Sequence, residues 1–359
     1  MKPTSERKVA TIRYAEYSAA FKYLVEQGLD CNFILQPKQT QRTEKIGEKY
    51  SPDMVCTPFK TILGSLVEAL EAGADTIIMP NGICRLSYYG ELIRKILLDE
   101  GYEFDFINLN DYAMGGKTKD LIRGIGSVNP RVKPTHLISA GMEAMKMVEY
   151  LDEITYEYYK GCGFESTGGW RKAYKRFLAA MYRADSKEAI EKAHLSVKQE
   201  FDSIPLMKPA HPLKVGVIGE FYTAVDSFSN REVEEKLTDM GVEVHRWMNL
   251  SHRLIHYPGE KNLNVQIREY CTYEMGPTST ANIWATKHYA EQGFHGLVHI
   301  KSANCTPEID IVPILQRISE QYKIPLLILT CDTQTSDVGL MTRLEAFYDM
   351  IEAKGRQLK

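Results

Sequence analysis

At 359 residues the chain exceeds the length that one hydrophobic core usually serves, so two domains or more are expected. Apolar residues make up 44% and charged ones 25%, which excludes a long disordered or collagen-like region. Lys and Arg number 44 against 47 Asp and Glu, a net charge of −3 with no block of like charges, so the basic footprint of a nucleic-acid binder is excluded.

The amino terminus, Met1 to Val9, is charged and lacks the apolar segment of a secretory signal. No apolar run approaches the roughly eighteen residues of a membrane span. A cytoplasmic protein without a membrane partner is therefore expected. Seven cysteines in a reducing compartment then read as core residues, reactive thiols or metal ligands rather than as a disulfide framework.

In chain order, a helical pattern over residues 58–72 precedes a short β-branched run at 74–80 and a second helical pattern at 87–99. From Pro134 to Pro209 the strand signal vanishes, and amphipathic helices rich in Tyr, Lys and Glu are broken once by the glycines of residues 161–169. Three prolines between Pro205 and Pro212 mark a linker. Strands at 213–219, 296–302 and 324–330 then alternate with helices at 231–240, 280–292 and 342–353. Unalternating apolar strands separated by helices predict an α/β fold with parallel sheets. The expected organisation is two Rossmann-like parallel-sheet domains, over residues 1–133 and 211–359, with an intervening helical segment over 134–210.

Cys56-Thr57-Pro58 and Cys305-Thr306-Pro307 are the same tripeptide, one in each α/β half, and each opens a helical pattern. Thr is a good N-cap and Pro is favoured in the first helical turn. Cys84 stands in a similar place, after the strand ending at Pro80 and before the helix of residues 87–99. A helix N-terminus presents amide N–H groups and partial positive charge, which favour a thiolate. Three such thiolates converging at the domain interface would hold an iron–sulfur cluster. Zinc is the rival, but it usually takes four ligands in closely spaced pairs. Buried small hydrophobes are the bland alternative for each cysteine.

The surrounding residues carry a resemblance. Cys56 to Lys60 with Gly64, Gly73-Ala74-Asp75, Pro80 and Cys84-Arg85, then residues 217–222, Asn304 to Glu308 and Thr342 to Phe347, resemble the 2-hydroxyacyl-CoA dehydratase and benzoyl-CoA reductase family over nearly the whole chain. The closest likeness is to its activase-related single-chain branch. The resemblance implies a four-iron four-sulfur cluster on Cys56, Cys84 and Cys305, with a double-cubane cluster the lesser alternative. It implies a low-potential reductase or radical dehydratase component acting on an acyl-CoA or another small electrophile. The electron would come from a cluster-bearing ATPase activator, and the chain would work as a homo-oligomer or paired subunit. A non-catalytic cluster-bearing electron carrier is the alternative. The second motif, residues 82–89, lacks the glycine expected after Arg85.

Further readings concern single residues. Arg85 beside Cys84 and Glu308 beside Cys305 are the candidate catalytic side chains, although a first-turn carboxylate also complements a helix dipole. Cys331 is the best placed of the remaining cysteines to close a fourth cluster corner. Thr342 with Glu345, and Ser229 with Glu232, have capping-box spacing. His245, His252 and His256 are spaced to share a helical face, without the acidic or thiolate partner that a metal site needs. Gly216 and Gly219 are half of a dinucleotide fingerprint.

Overall fold

The computed structural model describes residues 6–80, 86–110, 118–273 and 275–357. It divides into two compact units, Met1–Leu151 with Phe177–Leu195, and Asp152–Arg176 with Ser196–Lys359. Each holds a four-stranded parallel sheet, as the strand and helix patterns require.

In the first unit the strands are β1 (Lys8–Thr11), β2 (Asn32–Phe33), β3 (Thr76–Met79) and β4 (Asp105–Asn108), in the order β2-β1-β3-β4. In the second they are β5 (Lys214–Gly219), β6 (Glu243–Arg246), β7 (Gly296–Ser302) and β8 (Leu326–Cys331), in the order β6-β5-β7-β8. The two orders are the same. In both sheets the connection from the first strand goes one way and the next crosses back, so a crevice opens beyond the carboxyl ends of β1 and β3, and of β5 and β7.

The inner strands are mostly buried, and the β3 sequence TIIM, buried at every position, shows why a run apolar on both faces becomes an inner parallel strand. Four strands have no such run. The outer strands β2, β4 and β6 are short and partly polar, and β1 ends in Thr11, so β-sheet pairing rather than patterning makes them strands.

The first unit places α1 (Ser18–Tyr23), a π-helical turn (Leu24–Gly28), α2 (Gln41–Tyr50), α3 (Thr57–Glu71), α4 (Leu86–Asp99) and α5 (Thr118–Gly126) around its sheet. Twelve positions of α3 are buried, because α2 lies directly on it. Glycine permits that approach. A Cβ on Gly47 would meet Lys60 O at 1.9 Å, and one on Gly64 would meet Thr43 O at 2.0 Å. The buried Glu68 of α3 is satisfied across the contact by Thr43 Oγ1 at 2.8 Å and Arg42 Nη1 at 2.9 Å.

Three long helices, α6 (Pro134–Gly161), α7 (Gly169–Arg183) and α8 (Lys187–Ser203), fill the strandless stretch, and the glycines at 161–169 form the break between the first two. Their residues are shared between the units. In the first, Tyr150 stacks on His194 at 3.7 Å, and in the second Trp170 stacks on Phe201 at 4.1 Å.

The second unit adds α9 (Val233–Asp239), α10 (Leu250–Leu254), α11 (Glu260–Gln266), α12 (Pro277–Glu291), α13 (Thr306–Asp310), α14 (Val312–Tyr322) and α15 (Asp337–Gln357). Alternate residues of β7 face two cores, Val298 and Ile300 toward Leu344 and Phe347 of α15, and Leu297 toward Ile283 and Tyr289 of α12. Gly216 packs under the Tyr289 ring, where a Cβ would lie 2.4 Å from it, so this glycine serves packing.

Two capping expectations are corrected. α15 begins at Asp337, five residues before Thr342, whose hydroxyl donates back to Val338 O at 3.1 Å inside the helix. Ser229 donates to Asp226 Oδ2 at 2.6 Å, and Asn230 Oδ1 accepts the Val233 N–H that starts α9. His245 is also displaced from its expected helical face, since it lies on β6 while His252 lies on α10. Among the described residues no helix is long and apolar enough to cross a membrane.

The glycine contact is directly testable by urea unfolding. Gly47→Ala and Gly64→Ala should each destabilise the protein by about 2 kcal/mol or more, as overpacking does. Gly141→Ala on α6, with nothing within 4 Å of its new Cβ, should be neutral or stabilising by about 0.5 kcal/mol.

Candidate functional site

Cys56 is the N-cap of α3, in extended backbone geometry with φ −67° and ψ 154°, and its carbonyl accepts Phe59 N at 3.1 Å. Cys305 is the N-cap of α13 with φ −81° and ψ 95°, and its carbonyl accepts Ile309 N at 3.0 Å. In both, Thr and Pro occupy the first turn, so the repeated tripeptide does start a helix twice. Both cysteines are half-buried. Cys305 follows the carboxyl end of β7, and the turn between them needs Asn304 in the left-handed region at φ 60°. Cys84 and Arg85 lie outside the described residues.

The other cysteines differ in kind. Cys31, Cys271 and Cys331 are buried. Burial pushes the Cys331 thiol up to about 12 and that of the half-buried Cys162 up to about 11, and it also raises Cys31. Cys331 is the last residue of β8 and is fully enclosed in the core shared with Leu344 and Phe347. A thiol at a helix start lies where partial positive charge and amide N–H groups favour its thiolate, and the enclosed Cys31, Cys271 and Cys331 lack that setting. Among the described residues no three His, Cys, Asp or Glu side chains are arranged to hold a metal ion.

Glu308 sits in the first turn after Cys305, yet its exposure is 0%. His299 Nε2 lies 2.7 Å from Oε2, and Asn282 Nδ2 lies 3.0 Å from both carboxylate oxygens. The same Asn282 amide donates to Gly219 O at 2.9 Å and accepts Gly219 N–H at 3.1 Å, so it continues the backbone ladder at the end of β5. A Cβ on Gly219 would strike Ile300 O at 1.9 Å, which is why glycine ends this strand. Ser279 Oγ adds a bond to Pro307 O at 3.0 Å. Residues 306–308 are thereby tied to α12, β5 and β7 at once. His299 Nδ1 has no hydrogen-bond partner among the described residues. Lys60, one turn into α3, is half-buried.

Glu220 follows Gly219 and turns its carboxylate back on its own loop, accepting Tyr222 N at 2.7 Å and Thr223 N at 2.8 Å. Burial above all, opposed by these bonds and reinforced by the charge of Glu308, raises its carboxyl to about 7. Sequence reasoning placed Glu220 in a family-like motif without a role, and it passed over Asn282 and His299. A glutamate directly after a strand-ending glycine is a usable signal, whereas Asn282 reads as an ordinary helix residue. No family model matches this chain, and no curated protein is similar to it at a significant level.

Two outcomes follow from the buried carboxylates. Glu220 is held neutral in the folded protein up to about pH 7, against an ordinary value of 4.5, so its contribution to stability is full below pH 4.5 and is lost as pH rises toward 7. At about 1.4 kcal/mol per unit, the loss is about 3 kcal/mol, and Glu220→Gln should flatten that part of the stability–pH curve measured by urea unfolding. Glu308→Ala leaves His299 and Asn282 buried without their partner. It should cost about 3 kcal/mol or more, read from the same denaturation curves.

Proposed function

We propose that this chain is an iron–sulfur protein whose cluster is held by the thiolates of Cys56, Cys84 and Cys305. The observation that carries the reading is the matched setting of Cys56 and Cys305. Each is a half-buried N-cap ahead of Thr-Pro, while Cys31, Cys271 and Cys331 are enclosed. The likeness of the flanking residues to the 2-hydroxyacyl-CoA dehydratase family supports the same assignment and supplies the chemistry. When bound, a four-iron four-sulfur cluster supplies one-electron chemistry at low potential.

The reaction class this supports is reduction or radical dehydration of an acyl-CoA or another small electrophile. By the same resemblance the electron would come from a separate cluster-bearing ATPase, and the sequence itself has no GxxxxGK[ST] loop. The chain's residues would orient and shield. Cys56 and Cys305 stand at the N-terminal ends of α3 and α13, and Lys60 and Arg85 place positive charge near Cys56 and Cys84 in sequence. Glu308, with both oxygens engaged inside the protein, would hold the Cys305 loop in place. An enzyme reading is favoured over a closed electron carrier by the place of Cys331, the best of the extra cysteines by position, which is enclosed in the hydrophobic core with Leu344 and Phe347.

Anaerobic purification followed by iron, sulfide and EPR analysis tests the proposal. Cys56→Ala, Cys84→Ala and Cys305→Ala should each lose most of the iron, while Cys31→Ala and Cys331→Ala should keep it. Wild-type iron content in Cys84→Ala would overturn the assignment.

A further inference from the structure

The two sheets share one strand order, but the crevices at their order reversals are built oppositely. In the second unit the carboxyl ends of β5 and β7 are closed by Asn282, Glu308 and His299, a hydrogen-bonded plug with no exposed surface on Glu308 or His299. In the first unit the equivalent place, beyond β1 and β3, is an apolar pocket of about 70 Å³. Its floor is Val25, Leu29 and Ile78, all at most 5% exposed, and half-buried Leu24 and Ile125 stand at its rim. The single polar side chain among its described lining residues, Thr11, donates its hydroxyl to Ile12 O at 3.2 Å. None of its described lining residues carries a charge. Leu24 and Val25 belong to the π-helical turn Leu24–Gly28, a wound-out geometry that recurs where helices border functional sites. Pro80, the residue after β3, also lines the pocket.

We propose that this pocket receives the apolar end of the substrate, and that the substrate carries a short branched aliphatic group rather than an aromatic ring. Crevices at the reversal of strand order are where open α/β sheets bind ligands, and an uncharged wall selects a hydrocarbon. Volume decides between hydrocarbons. A dry cavity of about 150 Å³ takes up benzene, and this one has less than half of that. The volume favours an isopropyl-sized group over a phenyl ring. The identification of that group as part of an acyl thioester rests on the proposed function, while the selection for small aliphatic groups rests on the pocket.

Calorimetry of isobutyryl-CoA and benzoyl-CoA binding to the full chain, purified anaerobically, tests the inference, together with methyl NMR of its Ile, Leu and Val residues. Isobutyryl-CoA should bind at least about tenfold more tightly, the scale on which apolar pockets discriminate by size. It should also shift the methyls of Leu24, Val25 and Ile78. Leu24→Trp, which fills the mouth, should abolish both the shifts and the preference at an unchanged melting temperature. If that variant melts early, Ile125→Phe at the rim serves instead. Equal binding of the two thioesters, or binding of isobutyryl-CoA that leaves these methyls unmoved, overturns the inference. Iron content separates the two readings. Iron present with unmoved methyls removes the pocket and leaves the cluster, whereas iron absent with shifted methyls removes the cluster and leaves the pocket.

Discussion

The structure depends on the reversal of strand order beside the first strand of each sheet. A parallel strand must be joined to the next by a crossover, and such crossovers are right-handed in nearly all proteins. When one crossover goes to the left neighbour and the next to the right, the helices leave on opposite faces and the carboxyl ends between them stay uncovered. Both sheets obey this constraint with one order, β2-β1-β3-β4 and β6-β5-β7-β8. Backbone groups at an uncovered edge must be satisfied by something, and what satisfies them decides whether the crevice is filled or open.

In the second unit the filling is polar. Asn282 pairs with both backbone groups of Gly219 and passes its amide on to Glu308, whose other contact is His299. Burying a carboxylate costs several kcal/mol unless its oxygens are engaged, and such networks define one geometry or none. The beneficiary is the turn at residues 303–305. It carries Cys305, with the left-handed Asn304 before it, and leads into a helix of only five residues. So short a helix has little stability of its own, so the anchoring of Glu308 does what helix length cannot.

In the first unit the same problem is solved by packing. Cys56 heads a helix of fifteen residues whose burial is nearly complete, and whose contact with α2 is set by two glycines. Position there comes from a rigid close-packed pair of helices, with Arg42 and Thr43 reaching the buried Glu68. Two equivalent tripeptides are thus held by unrelated means, one by a polar network and one by backbone contact.

Several features were legible in the residues themselves. Unbroken β-branched runs such as TIIM, helical periodicity and terminal glycines determine an α/β fold with parallel sheets, since each follows from local sterics and from burial of both sheet faces. The Cys-Thr-Pro repeats determine two helix starts for the same reason, because N-cap and first-turn preferences are properties of a few adjacent residues. Tertiary structure alone decided the rest. The short strands β1, β2, β4 and β6 exist through pairing with neighbours far away in sequence, and the apparent capping box at Thr342 dissolves inside a helix that begins earlier. Glu308 looks in sequence like an exposed first-turn acid. It is buried because Asn282 and His299, from two other elements, meet it at the strand ends, and no local pattern encodes a meeting of residues 282, 299 and 308.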